Sequence, residues 1–290
     1  MADATDFMEI LRALPGSYQG PLRAYDGPHA VIGLGEGALA AGLAEGLIGR
    51  QLTGEGTQFV LASGEAGEAA KDYADLAEAR GAQVVRAGEG NLTGLAFLVP
   101  RGVTGTYHYA QFVAHASGHT EQATAADALL ANLAARCAPE VTEGNPARDL
   151  AWTLWTRVPL LLAPEGEGWL TWAWQLLLAR VGKSLALPVE RDLLYVLSGA
   201  FEARHESGDG RLALILGEED AELSLAREIL QTRVDEVQLV PYPGGESGYA
   251  GSLALWYLGL WTAAYLAERY GVSPGDTAVM REALRGMGEE

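Results

Sequence analysis

The chain is expected to be an α/β protein made of two three-layer α/β/α domains with mostly parallel sheets. Three observations point there. Short apolar strands alternate with helical stretches, the rhythm pauses at residues 139–145 and restarts, and 290 residues amount to about two domains of ~100–200 residues each. The domains are expected to span 1–143 and 144–290.

The first half opens with an acidic amphipathic helix, Asp3 to Leu14, stopped by Pro15-Gly16. Ala30-Val31-Ile32, Phe59-Val60-Leu61, Gln83-Val84-Val85 and Leu95 to Val99 are apolar runs of strand length. Helices are expected over about 38–49, 65–80 and, as one long element, 107–136. Such short runs between helices mark a parallel sheet covered on both faces. Pro139 to Asn145 reads as a linker. Beyond it, strands are expected at 158–162, 185–187, 212–216 and 237–240, and helices at 168–180, 221–232 and 247–270. Ser273 and Pro274 suit the cap and first turn of a last helix.

Composition removes several functions. With 38 acidic and 20 basic residues the net charge is −18. That field repels phosphate backbones and anionic lipid, so neither nucleic acid nor membrane is an expected partner. The single cysteine, Cys137, permits no internal disulfide, as in a reducing compartment. The start, Met1-Ala2-Asp3-Ala4, has no basic, apolar leader, and a cytoplasmic location is expected. The most apolar run, Ser252 to Ala267, falls short of the ~18 residues of a membrane span and reads as a buried helix. Lys71 and Lys183 are the only lysines. All seven tryptophans fall between Trp152 and Trp261, where they are expected to pack helices on the second sheet or on a partner chain.

Two loops carry the chemistry. The first strand runs into Gly33-Leu34-Gly35-Glu36-Gly37 and then a helix, the geometry in which a tight turn offers helix N–H groups to an anion. Position 38 is alanine and no third spaced glycine follows, which departs from the dinucleotide fingerprint. The second strand runs into Ser63-Gly64-Glu65, where Ser63 suits either an anion or sugar contact or a plain helix cap. Both loops also carry carboxylates, Glu36 in one and Glu65 and Glu68 in the other. A carboxylate at a helix N-terminus uses the field that a phosphate would use, and competes with it.

Together these parts resemble the bifunctional phosphoglucose/phosphomannose isomerases, a family of sugar-isomerase (SIS) domain proteins. The Gly33–Gly37 loop is similar to the family's Gly-Met-Gly-Gly-Ser-Gly, and Ser63-Gly64 to its Ser-Tyr-Ser-Gly-Asn-Thr. Asn145-Pro146-Ala147-Arg148 is similar to its Asn-Pro-Ala-Lys. Gly245-Glu246-Ser247 and the stretch from Tyr265 to Pro274 match its closing pattern. The resemblance implies two SIS domains, a homodimer, and metal-free interconversion of aldose and ketose 6-phosphates. In the family, serines and a threonine hold the phosphate, a glutamate moves the proton and a histidine opens the ring.

The chain departs from that pattern at named positions. The first-loop serine falls on Gly37, the first serine of the second loop on Leu61, and its threonine on Ala66. The arginine after the fourth strand falls near Thr106, with Arg101 close by. Counted without gaps from Asn145, the glutamate falls on Arg180 and the histidine among Leu193 to Val196. A second register, with an insertion after Ala186, puts His205 on the histidine and leaves Glu190 as a replacement base. Glu190 and His205 are therefore the catalytic candidates. Gly33, Gly35, Gly37, Ser63 and Gly64 are the candidates for holding a sugar or sugar phosphate.

The expected function is glucose-6-phosphate/mannose-6-phosphate isomerase-like, with weak or absent turnover. The alternative is a non-catalytic carbohydrate-binding or regulatory protein on the same scaffold. No cofactor or metal is expected. His108, His115 and His119 are spaced to share one helix face. They lack the acidic residue of a metalloprotease helix and read as a polar stripe at an interface.

Overall fold

The computed structural model describes residues 4–49, 55–90, 92–189, 208, 210–276, 279 and 282. The elements run α1 (Ala4–Arg12), β1 (His29–Leu34), α2 (Gly37–Ala44), β2 (Gly56–Ala62), a 3-10 turn (Gly64–Ala66), α3 (Gly67–Ala79), β3 (Ala82–Gly88), β4 (Phe97–Leu98), α4 (Gly105–Ala116) and α5 (Thr120–Cys137). They continue with α6 (Pro146–Leu154), β5 (Val158–Leu162), α7 (Gly168–Arg180), β6 (Leu187–Pro188), β7 (Arg211–Leu216), α8 (Ala221–Leu230), β8 (Glu236–Val240) and α9 (Gly248–Tyr270).

Among the described residues two four-stranded parallel sheets form, as the alternation predicts. The first has order β1-β2-β3-β4 and the second β6-β5-β7-β8, so the halves share an architecture but differ in strand order. Register in the first sheet matters for the site. Leu34 lies beside Ala62, Ala62 beside Gly88, and Gly88 beside Leu98. The four strands thus end in line, and the residues that follow them share one edge, the carboxyl edge where open α/β sheets bind ligands.

Helix α9 holds the halves together. It is buried on nearly every face, from Tyr249 to Ala267, and packs on α5, α6 and α7 and more lightly on α1. An all-round apolar helix needs such enclosure. Its core runs continuously from Leu11 and Val31 in the first half to Trp174, Leu214 and Trp261 in the second. No helix among the described residues is long and apolar enough to cross a membrane.

One expectation needs correction. The long helix over 107–136 is two helices, α4 and α5. The chain turns at Gly118, with φ +85°, while the Ser117 hydroxyl donates to Val113 O at 2.7 Å. The break takes His119 off the face of His108 and His115 and makes it the cap residue of α5. His115 stacks on Tyr18 with ring centroids 5.2 Å apart, and burial lowers the pKa of both His108 and His115. Beyond the linker, Asn145-Pro146 starts a helix, α6, that was not among the expected elements. The Asn145 side chain accepts from Arg148 N at 3.0 Å, which makes it the N-cap, with proline in the first turn. Cys137 is fully buried and its thiol is pushed up to about 12, which leaves it unreactive.

The tryptophans divide. Trp174, Trp256 and Trp261 are core residues, whereas Trp152 and Trp155 are exposed and lie beneath the Arg269 guanidinium. The last helix expected after Ser273 lies largely outside the described residues.

Candidate functional site

The in-line strand ends bring together the Gly33–Gly37 loop, Ser63 and Gly64, Glu89, and the segment carrying Arg101. Gly35 turns with φ +59°, and a side chain there would run into the Ser63 hydroxyl. Gly37 lets α2 approach β2: a β-carbon at 37 would sit 2.6 Å from Leu61 O and 2.9 Å from Leu61 Cβ. Glycine is required at 37 by backbone proximity, which is why no serine stands there. Gly64 faces open space, with nothing within 4 Å of its would-be side chain.

Ser63 is fully buried but its side chain makes no cap bond. The hydroxyl accepts from Glu36 N at 3.1 Å and donates to Glu65 Oε1 at 2.6 Å. The loop amides are similarly engaged, since Ala38 N donates to Gly35 O at 3.1 Å and Leu39 N to Glu36 O at 3.3 Å. An anion arriving here would have to displace these bonds and a carboxylate. Glu65 is thus already on the serine that is the candidate for holding a sugar or sugar phosphate.

The second half contributes Arg180. Helix α7 runs antiparallel along α2: Trp169 at its start lies on Gly42, and Arg180 at its end pairs with Glu36. Arg180 is the residue that falls on the family's glutamate in the gap-free register, so the structure brings that position to the Gly33 loop with the opposite charge. Lys183 Nζ donates to Arg180 O at 2.7 Å and to Asp276 O at 2.5 Å, which secures the end of the helix. Glu190 and His205 lie outside the described residues.

Glu89 was not among the sequence candidates. It follows β3 directly, is 7% exposed, and its Oε1 has no hydrogen-bond partner. Burial, then the charges of Glu36 and Glu65, raise its pKa to about 7, while Arg101 and Arg180 act in the opposite direction. The signal available in the sequence was a carboxylate between glycines, Gly88-Glu89-Gly90, straight after an apolar strand.

This carboxyl has a measurable consequence. Its folded pKa lies above its unfolded value near 4.5, so the folded state holds the proton more tightly. The stability it contributes is present at low pH and is lost as pH rises from about 4.5 to about 7. Glu89→Gln is therefore expected to match the wild type near pH 4.5 and to exceed it by about 1–3 kcal/mol at pH 8, as measured by urea denaturation at both pH values.

Two family models match the chain: the phosphoglucose isomerase N-terminal domain over residues 7–118, and the bacterial phospho-glucose isomerase C-terminal SIS domain over residues 143–285. A crystal structure of a glucose-6-phosphate isomerase like protein from Thermus thermophilus is 37% identical. That match covers 98% of this chain and 95% of that one, with TM-score 0.84. A hypothetical protein from the same organism is 15% identical, covers 98% of this chain and 87% of its own, and has TM-score 0.61, a likeness of fold alone. No curated protein matches the chain. The chain belongs to the bacterial phosphoglucose isomerase family of SIS-domain proteins.

Proposed function

We propose that this protein binds a sugar at the carboxyl ends of β1 to β3 and turns over hexose 6-phosphates weakly or not at all. Its scaffold is that of a glucose-6-phosphate/mannose-6-phosphate isomerase with two SIS domains dividing near residue 143, and the family resemblance favours a homodimer. One observation carries the reading: the Ser63 hydroxyl, the serine retained from the phosphate loops, is bonded to Glu65. Gly37, Ala66 and Arg180 stand at further positions where the family chemistry uses other residues.

The test is a coupled assay with fructose 6-phosphate. Turnover is expected at least about 10³-fold below the roughly 10 s⁻¹ typical of enzymes. A rate near that typical value would reject this reading and support the second one, a working isomerase. Family membership favours the second reading, as does Glu89, since a carboxyl that titrates near neutrality suits proton transfer. In that case Glu190→Gln and His205→Gln should each abolish the rate.

A further inference from the structure

A charged side chain is out of place on the covered face of a parallel sheet, and β3 carries one. Arg86 lies on an inner strand, between β2 and β4, in register with Val60. Val60 belongs, with Ala62 and Ala70, to the apolar cluster that packs α3 onto the sheet. The Arg86 side chain is 25% exposed, and among the described residues its one ion pair is a long one, 4.0 Å, to Asp75, which is itself 59% exposed. A cation withdrawn from water without a close counter-ion costs free energy.

Arg86 borders a cavity of about 80 Å³ beneath α3, and Lys71 borders the same cavity from the helix. Lys71 forms no ion pair among the described residues. Two like charges on one cavity repel, and in a chain of net charge −18 they make a local field of the opposite sign. Apart from the Thr93 hydroxyl the remaining walls are apolar, and Val60, Ala62, Ala70 and Ala87 are at most 6% exposed. Leu92 forms the wall toward the strand ends. It is seated on Gly67 and on Gly88, the last residue of β3, where β-carbons would lie 2.5 and 2.7 Å from its methyl groups. The cavity is thus separate from the loops around Ser63.

We propose that this cavity binds a small aliphatic carboxylate, with its anionic end between Arg86 and Lys71 and its hydrocarbon tail against Val60, Ala62 and Ala87. One anion answers both cations, and a planar carboxylate matches the guanidinium fork. Size limits the tail. At about 10–15 Å³ for each water-sized group, 80 Å³ admits roughly five to eight heavy atoms, a carboxylate of about three to six carbons. A phosphate dianion fits worse, because it needs donors on every side and the apolar walls offer none. Occupancy does not depend on whether the strand ends bind a sugar.

The experiment is titration calorimetry of the full chain with butyrate, butyramide, octanoate and inorganic phosphate at neutral pH. Butyrate is expected to bind about tenfold or more tighter than butyramide, which has its shape without its charge. Octanoate, too long for the cavity, and phosphate are both expected to bind more weakly than butyrate. Lys71→Gln, at an exposed position, should lose about tenfold in butyrate affinity and leave butyramide unchanged, and Arg86→Gln should do the same. Equal affinities for butyrate and butyramide, tighter binding of octanoate or phosphate, butyrate affinity unchanged in Lys71→Gln, or no butyrate binding at tens of millimolar would each overturn the proposal. Should Arg86→Gln not fold, Lys71→Gln and the butyramide comparison decide the point. Titration of the same protein with glucose tests the strand-end reading separately.

Discussion

Gly37→Ser, which returns the family's serine to the first loop, is expected to lower stability by about 3 kcal/mol and to confer no phosphate binding. The cost follows from the backbone. The new β-carbon would lie 2.6 Å from Leu61 O and 2.9 Å from Leu61 Cβ, and neither α2 nor the central strand β2 can retreat without breaking its register with β1 and β3. The absence of any gain follows from Ser63, whose hydroxyl would still be bonded to Glu65. Urea denaturation measures the first effect, and a thermal shift with millimolar inorganic phosphate the second. A variant as stable as the wild type, and stabilised by phosphate, would show that the loop can open to an anion after all. The result bears on function because it separates a site one residue away from phosphate chemistry from one whose helix packing excludes it.

The largest loss of stability is expected from Trp174→Ala, at about 3–5 kcal/mol. Trp174 is wholly buried between α7 and α9, and its indole N–H donates to Leu255 O at 3.2 Å. Its ring occupies the space over Gly259, where a β-carbon would come within 2.8 Å of Cε2. Glycine on one helix and tryptophan on the other form a complementary pair, so truncation leaves a cavity that α9, enclosed on its other faces, cannot close. The same change at Trp152, which is 57% exposed, should cost only about 0.5–1 kcal/mol, the loss of its contact with Arg269. Chemical denaturation of the two variants side by side checks both numbers. Similar losses would mean that α7 and α9 are not held together through this residue. Because α7 also delivers Arg180 to Glu36, Trp174→Ala should loosen that ion pair as well as the core.

Much of the fold was legible because its causes are local. The period of apolar residues marks strands and buried helices whatever surrounds them, and the strands at 30–32, 59–61, 158–162, 212–216 and 237–240 all lie within observed strands. The pairing of Glu65 with Ser63 was legible for the same reason, since the two stand two residues apart in the second loop. The helix break at Gly118 was missed because the apolar pattern continues across it, while the turn depends on one glycine and the Ser117 side chain bonded to Val113 O.

Other features depend on how distant segments dock. Glu36 and Arg180 are 144 residues apart, and they meet because α7 lies antiparallel on α2 with Trp169 against Gly42. That placement is the sum of many burial terms along α9 and its neighbours, none of which is written in the residues of the pair. Glu89 reads in the sequence as an ordinary loop carboxylate. Its place after β3, with Oε1 3.2 Å from where a side chain on Gly105 of α4 would begin, buries it, leaves that oxygen without a donor and puts it under the charges of Glu36, Glu65, Arg101 and Arg180. The chain alone thus specified elements and loop chemistry, because steric and periodic preferences act over a few residues. Which charges face one another, and whether they are dry, was settled by packing, because desolvation and Coulomb energy depend on distances that no short stretch of sequence contains.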